Sequence, residues 1–94
     1  MQIRWLKRAV GNVEAIARYI EDQDRPLAAA GVVARIEKAV ARLEDNPLLG
    51  RQLEDSDARE LVVGGTPYII LYRVRNNEVV VRRVIHGARK RPTR

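Results

Sequence analysis

His86 is the only histidine in the chain, and basic side chains gather around it: Arg73, Arg75, Arg82 and Arg83 before it, Arg89, Lys90, Arg91 and Arg94 after it. Between Arg73 and Arg94 only Glu78 opposes them. An imidazole titrates near neutral pH, so His86 is a candidate general base. The surrounding cations suit contact with phosphate or with an acidic protein surface. Other chemistry is poorly represented. The chain has no Cys, which excludes disulfides and thiolate metal sites, and no His, Asp and Glu grouping has metal-ligand spacing. Gly64-Gly65 is not a phosphate cradle, because no helical pattern follows it; it reads as a tight connection between strands.

These residues sit on a β-hairpin. The run 68–75 (Tyr-Ile-Ile-Leu-Tyr-Arg-Val-Arg) meets 78–86 (Glu-Val-Val-Val-Arg-Arg-Val-Ile-His) across Asn76-Asn77, a pair that tolerates the positive φ of a two-residue turn. Regular pairing from that turn places Arg75 opposite Glu78, Val74 opposite Val79, Tyr72 opposite Val81 and Leu71 opposite Arg82. Side chains alternate across the pleat. One face then carries Tyr68, Ile70, Tyr72, Val74, Val79, Val81 and Ile85, with Arg83 as its only charge. The other carries Ile69, Leu71, Val80 and Val84 among Arg73, Arg75, Arg82 and His86. The first is a core face. The second is too basic for core and too apolar for idle surface, so it is expected to meet a partner.

Two amphipathic helices precede the hairpin. Val13, Ile16, Ala17 and Ile20 recur at helical spacing over 7–22, and Ala29, Val33, Ile36, Val40 and Leu43 do so after Pro26. The break at 23–26 makes the two helices antiparallel neighbours, and Asp45-Asn46-Pro47 ends the second. Tyr19 and Trp5 are expected to pack between helices and sheet, and Tyr68 and Tyr72 on the core face. Residues 47–57 read as a loop and 59–63 as a strand. With the opening strand Ile3-Arg4-Trp5, the order is β-α-α-β-β-β: an α+β domain, its helical hairpin on one face of a sheet that ends in a three-stranded antiparallel meander.

A 94-residue chain with 46% hydrophobic and 32% charged residues forms one globular domain, 1–94, closing in a basic tail at 89–94. No signal-peptide pattern or membrane-length apolar run is present, so a cytoplasmic location is expected. Eighteen Lys and Arg against twelve Asp and Glu give +6, a balance that favours anionic partners.

The order and spacing of several short segments resemble the RelE/ParE superfamily of bacterial toxins, the ParE branch in particular. These segments are Ile3-Arg4-Trp5, Ile16-Ala17-Arg18-Tyr19-Ile20, Asn46-Pro47-Leu48-Leu49-Gly50-Arg51 and Arg59-Glu60-Leu61. They continue through Tyr68-Ile69-Ile70-Leu71-Tyr72-Arg73-Val74 and Val84-Ile85-His86-Gly87-Ala88-Arg89-Lys90. The resemblance implies the toxin of a type II toxin–antitoxin pair, neutralised by an antitoxin whose C-terminal segment wraps it. ParE-type toxins poison DNA gyrase; RelE-type toxins cut ribosome-bound messenger RNA.

RNA cleavage through a 2′-hydroxyl needs a base, an acid and cations for the phosphorane. The RelE-like set is thin here. Leu61 stands where a second basic residue would alternate with Arg59, Ile69 follows Tyr68 where Arg is frequent, and 91–94 holds no Tyr. An endonuclease would have to use Arg59, Arg82, His86 and Arg89. His86 reads better as a strand-end residue bonded to the turn at Gly87. The expectation is therefore a non-enzymatic, ParE-like toxin without cofactor. Ile69, Leu71, Arg73, Val80, Arg82 and Val84 are its expected antitoxin contacts, and Arg89, Lys90, Arg91 and Arg94 its contacts with the target.

Overall fold

The hairpin forms as its sequence predicts. In the computed structural model, which describes residues 1–89, β4 (Tyr68–Arg75) and β5 (Glu78–His86) are joined by Asn76 and Asn77 at φ 50° and 65°. Two successive left-handed residues are what a type I′ turn requires, and Asn tolerates that region better than most side chains. Before the hairpin come β1 (Gln2–Trp5), α1 (Lys7–Glu21), α2 (Pro26–Arg42), β2 (Arg51–Gln52) and β3 (Ala58–Val62). A single 3-10 turn, Gly87–Arg89, follows. Pro26 opens α2, where its missing N–H costs no helical bond.

The strands make one mixed sheet in the order β1-β5-β4-β3-β2. β3, β4 and β5 form the antiparallel meander. β1 lies parallel to β5, from Gln2 opposite Glu78 to Trp5 opposite Val81. The two-residue β2 falls within the stretch that reads as loop. It pairs Arg51 with Glu60, whose carboxylate lies 2.8 Å from the Arg51 guanidinium. Both helices cover one face. Ile36 and Val40 of α2, Leu43 just after it and Ala9 of α1 bury themselves with Ile70, Tyr72, Val79 and Val81, while Ile3 and Trp5 pack at the margin. Tyr19 departs from expectation: it is 62% exposed rather than packed between helix and sheet.

The hairpin register departs from regularity at one point. Tyr72 pairs with Val81, but Leu71 pairs with Arg83, so Arg82 is an extra residue in β5. This β-bulge inverts the pleat for everything after it. Val84 therefore belongs to the core, 2% exposed, not to the outer face. His86 comes opposite Tyr68 on the core side of the sheet. Arg83 and Ile85, expected on the core face, go to the other side. The physical reason is plain in Arg83: unbroken alternation would have placed an unpaired cation in an apolar interior, at a cost far above that of a local kink.

Candidate functional site

The outer sheet face is less open than its sequence suggests. Ile69 and Val80 are each only 7% exposed, and Leu71, Arg73 and Arg82 are half-buried. Much of its charge is neutralised within the fold. Arg73 and Arg75 flank Asp57 at 3.6 and 3.4 Å, and Arg4 lies 3.3 Å from Glu78. Among the described residues, Arg82 and Arg83 have no carboxylate partner. The Nε of Arg83 is buried and bonded to nothing.

The residues of the alternative catalytic set do not converge. Arg59 Nη1 donates to the Gly50 carbonyl at 2.7 Å and reaches that of Leu48 at 3.4 Å, so its guanidinium ties down a loop. His86 meets the Tyr68 ring edge-on, centroids 5.5 Å apart at 84°. Its Nδ1 accepts the Ala88 N–H at 3.0 Å, the turn contact expected of a strand-end histidine, made by the residue after Gly87. Arg59 pairs with Tyr72 and His86 with Tyr68, on opposite sides of β4. Four residues along a strand separate them by about 13 Å, before the width of the strands is added. Arg89 ends the 3-10 turn; Lys90, Arg91 and Arg94 lie outside the described residues. No group of three or more potential metal ligands exists among the described residues.

Tyr72 shows the same structural use of polar atoms. Its hydroxyl donates to the Pro47 carbonyl at 2.8 Å and accepts the Gly50 N–H at 2.7 Å. Burial pushes its pKa up, while the Gly50 bond and the Arg59 charge pull it partly back. Tyr68 is likewise raised by burial, with a further push from Tyr19 nearby. These two tyrosines are neutral hydroxyls at physiological pH. Neither is a nucleophile in waiting.

A broad concavity lies elsewhere, between α1 and the C-terminal half of β5. It is a groove of about 890 Å³ with Ile16, Tyr19 and Ile20 of α1 and Val32 of α2 on its helical wall, and Tyr68 and His86 on the sheet. Leu71, Arg83 and Ile85 line it from the outer side. β1 stops at Trp5, opposite Val81, so the edge of β5 beyond that point has no strand beside it. Asn12 of α1 covers part of the gap, its Oδ1 accepting the Val84 N–H at 3.0 Å. Sequence reasoning gave Leu71 to the outer sheet face and singled out none of Arg83, Ile85 and Tyr19 as contacts. The signal for the first two was present: adjacent arginines in an otherwise alternating strand demand a bulge.

Comparison with known proteins agrees with the fold. Residues 3–91 match the family model described as the ParE toxin of a type II toxin–antitoxin system, parDE. The protein Y4kP of Sinorhizobium fredii is 43% identical over 91 residues, covering 97% of this chain and 93% of its own. Toxin RelE2 of Caulobacter vibrioides is 40% identical over 88 residues, covering 94% and 97%. Among solved structures, the chromosomal ParDE system of P. aeruginosa superposes with a TM-score of 0.83 at 25% identity, over 92% of this chain and 95% of that one. The toxin–antitoxin complex RelBE2 of Mycobacterium tuberculosis gives 0.63 at 27%, over 90% and 95%.

Proposed function

The chain belongs to the ParE toxin family of type II toxin–antitoxin systems, and from that premise we propose that it is a non-enzymatic toxin acting on DNA gyrase. A cognate antitoxin, with an acidic and partly disordered C-terminal segment, holds it inactive in a hetero-oligomer. Both partners place its action in the cytoplasm, and no described helix is long and apolar enough to cross a membrane. The basic run Arg89, Lys90, Arg91 and Arg94 is the proposed contact with the target, since a cationic cluster speeds encounter with an acidic surface.

The observation that carries the non-enzymatic reading is the dispersal of the candidate catalytic groups. Arg59 is engaged by two loop carbonyls and His86 meets the Tyr68 ring edge-on, on opposite flanks of β4. Acid–base catalysis on one phosphodiester needs its groups within hydrogen-bond reach of the same few atoms. The closer superposition on the ParDE toxin than on the RelBE2 complex supports the same branch.

Expression without antitoxin tests this. Filamentation and DNA-damage signalling are expected, together with loss of supercoiling by purified gyrase and accumulation of cleaved DNA complexes. Codon-positioned cuts in ribosome-bound messenger RNA, abolished by His86→Ala, would instead establish a RelE-like endonuclease.

A further inference from the structure

Residues 46–50 (Asn-Pro-Leu-Leu-Gly), which lead from α2 to β2, are fixed far more firmly than they are buried. From Asn46 to Gly50 every residue has a main-chain group in a hydrogen bond. The Leu49 N–H donates to the Asn46 carbonyl at 3.1 Å. The Tyr72 hydroxyl spans the Pro47 carbonyl and the Gly50 N–H, and the Arg59 guanidinium reaches the carbonyls of Leu48 and Gly50. Gly50 is buried, with no room for a Cβ beside the Tyr72 ring. The leucines so held stay in water: Leu48 is 64% exposed and Leu49 41%. The register that sets Arg51 opposite Glu60, carried two residues back, brings Leu49 toward Val62, which is 62% exposed. Ordering a loop costs chain entropy that its own buried side chains normally offset. Here the ties come from strands later in the chain, and the apolar side chains are left over. Clustered exposed apolar side chains mark contact surfaces, and a contact loop ordered in advance binds at a smaller entropy cost.

We propose that Leu48 and Leu49 are an anchor that seats in an apolar, acid-rimmed pocket on the toxin's protein target. The inference rests on the reading above of a toxin that acts on a protein, and it adds a second contact to the one proposed for the basic run. Charge selects the occupant. From Asn46 to Leu53 there is no Asp or Glu. The Arg51 side chain beside the leucines is 64% exposed even though it pairs with Glu60. An acidic rim complements that cation, whereas a second copy docked about a twofold on these leucines would bring Arg51 toward Arg51 in a chain of net charge +6. Position separates this surface from the groove. The groove lies against β5, while β2 closes the opposite edge of the sheet. A partner in the groove and a partner on the leucines therefore do not compete for the same residues. Two leucines held in one geometry, with polar groups around them, have the form of an interface hot spot.

The test is Leu48→Ser combined with Leu49→Ser in the full-length chain. The urea midpoint should hold, and affinity for the co-expressed antitoxin should change less than about threefold. Toxicity in a growth assay at matched expression should fall at least about tenfold, and inhibition of supercoiling by purified gyrase should fall with it. The control is Leu27→Ser, at a leucine 87% exposed on α2, which should leave both unchanged. If the double variant does not fold, Leu48→Gln alone, at the more exposed position, carries the same test. Full toxicity of the leucine variant overturns the anchor whatever the target is. Antitoxin binding lost in step with toxicity, or an equal loss in Leu27→Ser, overturns it too. If the unaltered chain leaves gyrase active while the leucine variant loses toxicity, the gyrase reading falls and the anchor stands.

Discussion

Removing one oxygen, in Tyr72→Phe, is expected to loosen the segment that runs from α2 into β2. The Tyr72 ring is fully buried, and its hydroxyl bridges the Pro47 carbonyl and the Gly50 N–H at 2.8 and 2.7 Å. Phenylalanine keeps the ring and leaves no steric defect. Two hydrogen bonds at about 1 kcal/mol each are lost, and a Gly50 N–H in a buried site adds up to about 1–3 kcal/mol if nothing replaces its acceptor. The expected cost is about 2–5 kcal/mol, against a total stability on the order of 5–15 kcal/mol for such a domain. For a chain of this size that lowers Tm by on the order of 10–25 °C. Urea denaturation with the slope m held in common is the assay. The control is Tyr68→Phe: the Tyr68 hydroxyl makes no hydrogen bond with the described residues, so its loss should stay within about 0.5 kcal/mol. If both variants unfold at the same urea concentration, the Tyr72 hydroxyl does not hold the loop and the reasoning fails.

Gly50→Ala should be as damaging as Tyr72→Phe for a different reason. A Cβ at Gly50 would lie 2.7 Å from the Tyr72 ring and hydroxyl and 2.8 Å from the Glu60 carbonyl, and such crowding costs about 1–3 kcal/mol, measurable as a lower urea midpoint. Alkaline pH should destabilise the fold. Tyr68 and Tyr72 both have pKa values raised above 10.0, so the stability they confer is full below pH 10.0 and is lost as pH climbs through their folded values. Urea midpoints should therefore fall above pH 10.0, and less steeply in Tyr72→Phe. Truncation after Ala88 should leave a folded domain by circular dichroism, with antitoxin binding retained but weaker, salt-sensitive toxicity in a growth assay. An unfolded truncation would make the tail structural, and a fully toxic one would make it dispensable.

Much of this fold is legible in the sequence because local and global signals agree. Asn76-Asn77 sets the turn, and alternation carries the pairing out to Tyr72 and Val81 without error. Pro26 fixes where α2 begins. The stripe Ala29, Ile36, Val40 and Leu43 is buried as its spacing implies. What escapes is whatever depends on one residue's surroundings rather than on a period. The inserted Arg82 changes no composition yet inverts four side chains beyond it, which is why Val84 and His86 were expected on the wrong face. Tyr19 keeps the helical period but stands at the rim of a groove with no layer above it. The segment 47–50 has loop composition, and only the Tyr72 hydroxyl and the Arg59 guanidinium, from strands later in the chain, give it a fixed place.

The parallel pairing of β1 with β5 joins two strands far apart in the sequence. Ile3 and Trp5 have no sheet to lie against until Val79 and Val81 have left the ribosome, because β1 has no other neighbour in the sheet. Local helices can form early, but this closure waits for β5, as contacts distant in sequence wait for their later partner. A message cut short anywhere before β5 therefore encodes a chain lacking Val79, Val81 and Val84 from its interior. The groove would be absent with them. For a chain of a toxin family, the fold itself withholds this shape until β5 is made.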